Sequence, residues 1–398
     1  MNLYLRNLPD YDHCLVNLAN SILKKFDAKT SAKTLPLADE YLAKDYQNVV
    51  VLLLDAMGIS ILERHLEKDG FFRRHLAGAY DSVYPPTTVA ATTSILSGLY
   101  PNEHGWLGWD VYYPELDKNV TVFQNLEQLQ EKEGAVPMGK FPDGKPKWTE
   151  DSLQESKPAA DFNAGFKYTS YRNIVDLIHD AGGQAYAAMP FLPPYPQTFA
   201  AILERVETLC KEPGKKFIYA YWNEPDSTMH RTGTTSDATH EMITKLEKMV
   251  EETATKLEDT LLLVTADHSH VDCDNYCILD YPEIMDCLVR MPSFEPRTLN
   301  LFVREERKDA FPGIFNKYFG DSFLLLTREE VLKEKVFGTG RDHKDLEAML
   351  GDFVAFSVSE KAIFNTHIEA QEMPGGHAGL TAEEIKIPLI VIGGGKHV

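Results

Sequence analysis

Three acidic residues in this sequence stand directly after, or within a short turn of, an apolar run. NVVVLLL, residues 48–54, leads into Asp55. FIYAYW, residues 217–222, leads into Asn223-Glu224-Pro225-Asp226, and DTLLLVTA, residues 259–266, leads into Asp267-His268-Ser269-His270. His230 follows Asp226 by four residues, so on a helical turn the two share one face and could hold one metal ion. His377 lies among glycines in Pro374-Gly375-Gly376-His377-Ala378-Gly379, on a backbone free enough to bring an imidazole to a metal. Between the first and second acids runs Tyr84 to Gly108, YPPTTVAATTSILSGLYPNEHGWLG. Two prolines end whatever strand precedes it, and the small residues after them suit a closely packed helix beginning at Thr87 or Thr88. Free backbone N–H groups and the helix dipole favour an anion there.

Carboxylate, imidazole and hydroxyl are ligands for zinc and other divalent ions. Two such ions ~4 Å apart can clamp the attacking and leaving oxygens of an in-line displacement. A threonine hydroxyl needs that help, because its own pKa is far too high for attack at neutral pH. Each residue alone has a plainer reading. Threonine and aspartate are common helix caps, Asp-x3-His is a frequent surface pair, and a loop histidine is often merely a half-exposed polar group. The weight lies in their convergence, since open α/β sheets place ligand sites at the C-terminal ends of their strands.

The elements that must position these groups read as an α/β fold with a mainly parallel central sheet. Residues 48–54, 184–189, 217–222, 259–266 and 387–392 are its candidate strands, and Val49 to Leu54 form a continuous apolar run, as in a strand buried on both faces. Helical patterns occupy much of residues 1–47, then 171–182, 200–211 and 236–256. A catalytic core of residues 1–270 plus 366–398 is expected, with an α+β insertion at 271–365 and a turn-rich excursion at 110–165 acting as lid or substrate loop.

The 398 residues suffice for such a core with an inserted subdomain, and the net charge of −20 argues against a nucleic-acid polymer or an anionic membrane as main partner. The N-terminal residues do not read as a signal peptide and no apolar run approaches ~20 residues, so no membrane span is expected. Five scattered cysteines read as free thiols of a reducing cytoplasm.

VVVLLLDAMG, YPPTTVAATTSILSGLYPNEHG, WNEPDSTMH, VTADHSH and PGGHAG, in that order, resemble the motifs of the alkaline phosphatase superfamily. Within it the chain looks most like the type I phosphodiesterase/nucleotide pyrophosphatase branch. The resemblance implies an alkaline phosphatase-like three-layer sandwich, and places the nucleophile on Thr88 rather than Thr87. It implies that Asp55, Thr88, Asp267 and His268 hold one zinc and that Asp226, His230 and His377 hold the other, with manganese as the alternative metal. The implied reaction on a small phosphate ester is attack by Thr88, a covalent phospho-enzyme, and hydrolysis. A phosphomonoesterase or phosphomutase of the same superfamily is the alternative, and a non-catalytic metal-binding relative the third. The sulfatase signature is absent. The branch's phosphate-binding Asn falls here on Trp109, so Asn223 is a candidate replacement donor, while Trp109 could instead offer a flat wall to a base.

Overall fold

Continuous apolar runs build the middle of the main sheet. In the computed structural model, which describes residues 3–394, six strands lie in the order Leu76–Asp81, Lys386–Gly394, Thr260–Thr265, Asn48–Leu54, Lys216–Trp222, Gln184–Ala188. The last four run parallel, and Lys386–Gly394 is antiparallel to both of its neighbours. Val49 to Leu54 are at most 1% exposed, so this strand is covered on both faces, as its unbroken Val/Leu run requires. Helices Leu15–Lys25, Thr88–Ser97 and Ile174–Asp180 contact one another in one layer, and Ile59–His65, Phe199–Lys211 and Asp237–Ala254 in another. Met1, Asn2 and residues 395–398, which the sequence assigns to the ends of the core, lie outside the described residues.

A second sheet is antiparallel and seven-stranded, in the order Phe323–Thr327, Phe353–Ser357, Thr298–Leu301, Ser293–Glu295, Asp110–Tyr113, Lys118–Thr121, Leu126–Glu127. Four strands come from the 271–365 segment. Three come from the start of the 110–165 stretch, which the sequence marks as a turn-rich excursion. The two segments join where Phe294 pairs with Asp110.

The helix Thr88–Ser97 forms from TVAATTSILS and is buried along most of its length. Its small side chains permit that close packing, and Gly98, at φ +71° in the left-handed region, ends it against Leu23 and Asn20 of Leu15–Lys25. The nucleophile candidate Thr88 is thereby fixed at the first turn of a helix packed into the core.

Candidate active site

Strand adjacency brings the acids together. Thr260–Thr265, Asn48–Leu54 and Lys216–Trp222 are neighbours, with Leu53 paired to Thr265 and Leu54 to Trp222. Their chains therefore emerge side by side at one edge of the sheet. The Asp55 N–H donates to Trp222 O at 3.0 Å and the Asp226 N–H to Asp55 O at 3.1 Å. Ala56, at φ +61°, turns its N–H onto Asp267 Oδ1 at 3.0 Å. This left-handed alanine is a local cost of about 1–2 kcal/mol, held in place by the carboxylate it binds.

Gly58 lets the two turns touch. A Cβ there would lie 2.0 Å from Ser269 Cβ and 2.8 Å from Ser269 Cα. Gly58→Ala is therefore expected to push apart the segments carrying Asp55 and Asp267, costing about 1–3 kcal/mol of stability. It should also weaken metal retention in a chelator competition. Unchanged retention would show that this contact does not set the ligand spacing.

Four groups form the first cluster. Thr88 Oγ1 lies 3.3 and 3.4 Å from the two Asp55 oxygens and 3.2 Å from His268 Nε2. His268 Nε2 is 3.3 Å from Asp55 Oδ1 and 3.7 Å from Asp267 Oδ2. The second cluster centres on Asp226 Oδ1, with His270 Nε2 at 2.9 Å, His230 Nε2 at 3.4 Å and His377 Nε2 at 3.9 Å. The clusters adjoin, since the His268 and His377 rings are 4.0 Å apart.

The donor set fits divalent cations. Thr88 has one proton to offer the two Asp55 oxygens, and the buried Asp267 Oδ2 has no hydrogen-bond partner. Orphaned buried oxygens are costly unless a cation satisfies them. The outer contacts also suit ligation. Nδ1 of His230 faces Gly375 O, that of His377 faces Pro86 O, and that of His268 faces Ser269 O, at 3.0, 3.2 and 3.0 Å. Donation of Nδ1–H to these carbonyls leaves each Nε2 lone pair free for a metal.

The charges tell the same story. Burial pushes the Asp267 carboxyl well above its usual range, and the neighbouring Asp55 charge adds to it. Burial opposes charge on His268, but Asp267 and Asp55 outweigh it and hold the imidazole up at about 10. Burial likewise raises the Asp226 carboxyl, yet His230 and His270 hold it well below the ordinary value. Burial and the His268 charge push His377 well below.

All seven residues expected to hold metal converge. His270, which the sequence did not single out as a ligand, joins the second cluster and is 1% exposed. The available signal was its place two residues beyond His268 in Asp267-His268-Ser269-His270. Its neutral state is enforced by burial and by His230, which lower its pKa to about 4.

A cavity of about 520 Å³ opens beside the clusters, lined by Thr88, His230 and His377 and, from the second sheet, by Glu295 and Asp110. Trp109 lines it too, 41% exposed and edge-on to Phe123 at 6.2 Å. Its sequence neighbour Trp106 is instead core, 2% exposed with Nε1–H donated to Thr169 O. Asn223 is not among the lining residues, and its amide donates to Ser227 Oγ at 3.0 Å.

The chain is similar to proteins of known sequence and structure. Mouse ectonucleotide pyrophosphatase/phosphodiesterase family member 1 is 26% identical over 168 residues, covering 42% of this chain and 17% of the relative. Rat family member 3 is 24% identical over 234 residues, covering 55% of this chain and 24% of the relative. The chain thus spans a quarter or less of the length of these curated relatives. Among solved structures, an inactive variant of murine ectonucleotide pyrophosphatase/phosphodiesterase 5 in complex with AMP superposes with a TM-score of 0.59 at 16% identity, covering 86% of this chain and 87% of that one. Phosphonoacetate hydrolase from Sinorhizobium meliloti 1021, in complex with phosphonoformate, gives 0.57 at 14% identity, covering 89% and 92%. These likenesses identify the alkaline phosphatase-like fold. The profile of the type I phosphodiesterase / nucleotide pyrophosphatase family matches residues 49–315, more than half of the 398-residue sequence, and the chain belongs to that family.

Proposed function

We propose that the protein is a two-metal hydrolase that cleaves a phosphate diester or pyrophosphate bond of a small, nucleotide-like molecule, with Thr88 as nucleophile. One observation carries the reading. The Thr88 hydroxyl stands at the start of a buried helix, on the cavity wall, within 3.4 Å of both Asp55 oxygens and of His268. Bound divalent ions, zinc first since imidazoles outnumber the hydroxyl and suit it, would supply Lewis acidity at the hydroxyl and at the leaving oxygen. Asp55, Thr88, Asp267 and His268 would hold one ion, and Asp226, His230 and His377 the other.

The remaining chemistry belongs to the chain. Asp55 is the carboxylate placed to take the Thr88 proton as the Oγ1–P bond forms and the bond to the leaving oxygen breaks. Water then cleaves the phospho-threonine and restores the hydroxyl. Helix Thr88–Ser97 points its N-terminal N–H groups toward the anion being transferred. Trp109 offers a flat apolar face to a base at the cavity wall. All five cysteines are unpaired, which supports a reducing, cytoplasmic setting, and among the described residues no helix is long and apolar enough to cross a membrane.

The metal-loaded protein is expected to release p-nitrophenol faster from bis-p-nitrophenyl phosphate than from p-nitrophenyl phosphate. The opposite ratio would move the protein to the phosphomonoesterase or phosphomutase side.

A further inference from the structure

Glu295 is a buried carboxyl at the active cavity that the ligand clusters do not use. It sits at the end of the strand Ser293–Glu295, is 8% exposed, and lines the same cavity as Thr88. One oxygen, Oε1, accepts two hydrogen bonds, from Thr87 Oγ1–H at 2.5 Å and from the Trp109 N–H at 2.8 Å. Thr87 precedes the nucleophile and is the residue before the helix, yet its hydroxyl does not cap that helix and is spent on Glu295 instead. The family resemblance places the branch's phosphate-binding Asn at the position of Trp109. The second oxygen, Oε2, has no hydrogen-bond partner among the described residues.

We propose that Glu295 binds substrate as a neutral acid, donating Oε2–H to a non-bridging phosphoryl oxygen while Oε1 holds Thr87 and the Trp109 backbone. This assignment rests on the phosphoryl-transfer reading of the site. An ionised carboxylate would repel the phosphoryl group, whereas the acid form is a donor with the same geometry as an amide. Among the protein's own groups, burial pushes Glu295 up to about 7, with Asp110 adding to it, while Thr87, the Trp109 N–H and His268 act in the opposite sense. Arg297, two residues on, does not neutralise it, because its guanidinium is bound to Glu384.

Glu295→Gln is the decisive variant, since its amide keeps both the acceptor and the donor but cannot ionise. Binding of inorganic phosphate to the metal-loaded protein is measured by calorimetry from pH 6 to 9, in wild type and variant. The ratio of variant to wild-type affinity is expected to rise about tenfold per pH unit once Glu295 ionises, because the titrations of phosphate and metal ligands cancel between the two proteins. A ratio constant with pH overturns the proposal and leaves Glu295 as a structural tie. A second readout needs no variant. With ¹³C-labelled glutamate, the infrared band of a protonated carboxyl should shift when phosphate is added, and absence of any such shift also overturns it. Neither readout uses diester turnover. A protein that shows both effects but hydrolyses no diester would refute the diesterase reading while keeping this one. The reverse pattern would refute only this one, and failure of every protein to bind phosphate would refute it as well.

Discussion

Thr88→Ala is expected to lower turnover of bis-p-nitrophenyl phosphate by ~10⁴-fold or more, the scale seen when a covalent nucleophile is removed from a site whose other groups remain. The fold should hardly notice. Thr88 is the first residue of its helix, where Ala is the better helix former. Asp55, Asp267 and His268 remain around the lost hydroxyl, so metal content should stay close to that of wild type. The discriminating measurement is acid quenching of a single turnover followed by mass analysis of the peptide containing Thr88. A phosphorylated peptide is expected from wild type and none from the variant. Retention of a tenth of wild-type turnover by the variant would assign the nucleophile elsewhere, and Thr87 would be the first alternative to test.

The largest expected loss of stability lies away from the proposed metal ligands, at the joint between the second sheet and the loop that carries His377. Arg297 and Glu384 are 1% and 0% exposed. Arg297 Nε–H and Nη2–H donate to the two Glu384 oxygens, each at 2.8 Å, and the Gly379 N–H and Thr381 Oγ1–H also donate to that carboxylate, at 2.7 and 2.6 Å. The same guanidinium donates to the carbonyls of Ser359 and Lys361. Glu384→Gln leaves a buried cation unpaired, which costs about 3–5 kcal/mol, a Tm lower by about 4–6 °C for a chain of this size. Because the Gly379 contact is weakened as well, the variant should also exchange metal faster. Burial raises the Glu384 carboxyl, but Arg297 outweighs it and holds the group below its ordinary value. Its contribution is therefore present above the usual glutamate range and fades as pH falls through the lowered folded value. The gap in stability between wild type and Glu384→Gln should be full at pH 7 and shrink below about pH 4. A gap that does not change with pH would mean that the charge of the pair is not what stabilises the joint.

The core of the fold was legible because buried parallel strands announce themselves. NVVVLLL and TLLLVT have no polar alternation, and an acid directly after such a run is conspicuous. Leu76–Asp81 was not legible, since LAGAYD is poor in β-branched residues and half-exposed over most of its length. The strands at 110–127 are two to four residues long and rich in Tyr, Asp, Lys and Asn, so their sheet depends on pairing with segments far away in sequence, as Phe294 pairs with Asp110. The expected acids and histidines were conspicuous because they follow strand ends or sit in a glycine loop, and Thr88 because it opens a helix of small residues after two prolines. His270 and Glu295 could not be assigned, because what distinguishes them is a partner supplied by another element: Asp226 for the one, Thr87 and the Trp109 backbone for the other.

The antiparallel strand Lys386–Gly394 lies inside the main sheet, between Leu76–Asp81 and Thr260–Thr265, yet it follows the other five strands in sequence. The main sheet can therefore be completed only after this strand has been made. Any sheet formed before it would leave the apolar edge of Thr260–Thr265 unpaired. That is a long-range closure of the slow kind, and the exposed edge is a template for pairing with another chain. The glycine loop with His377 immediately precedes the late strand, so the second cluster gains its last imidazole only when the sheet closes. A chain stalled before that point would carry most of the proposed ligands and none of the finished geometry, so metal binding by the proposed site would depend on completion of the fold.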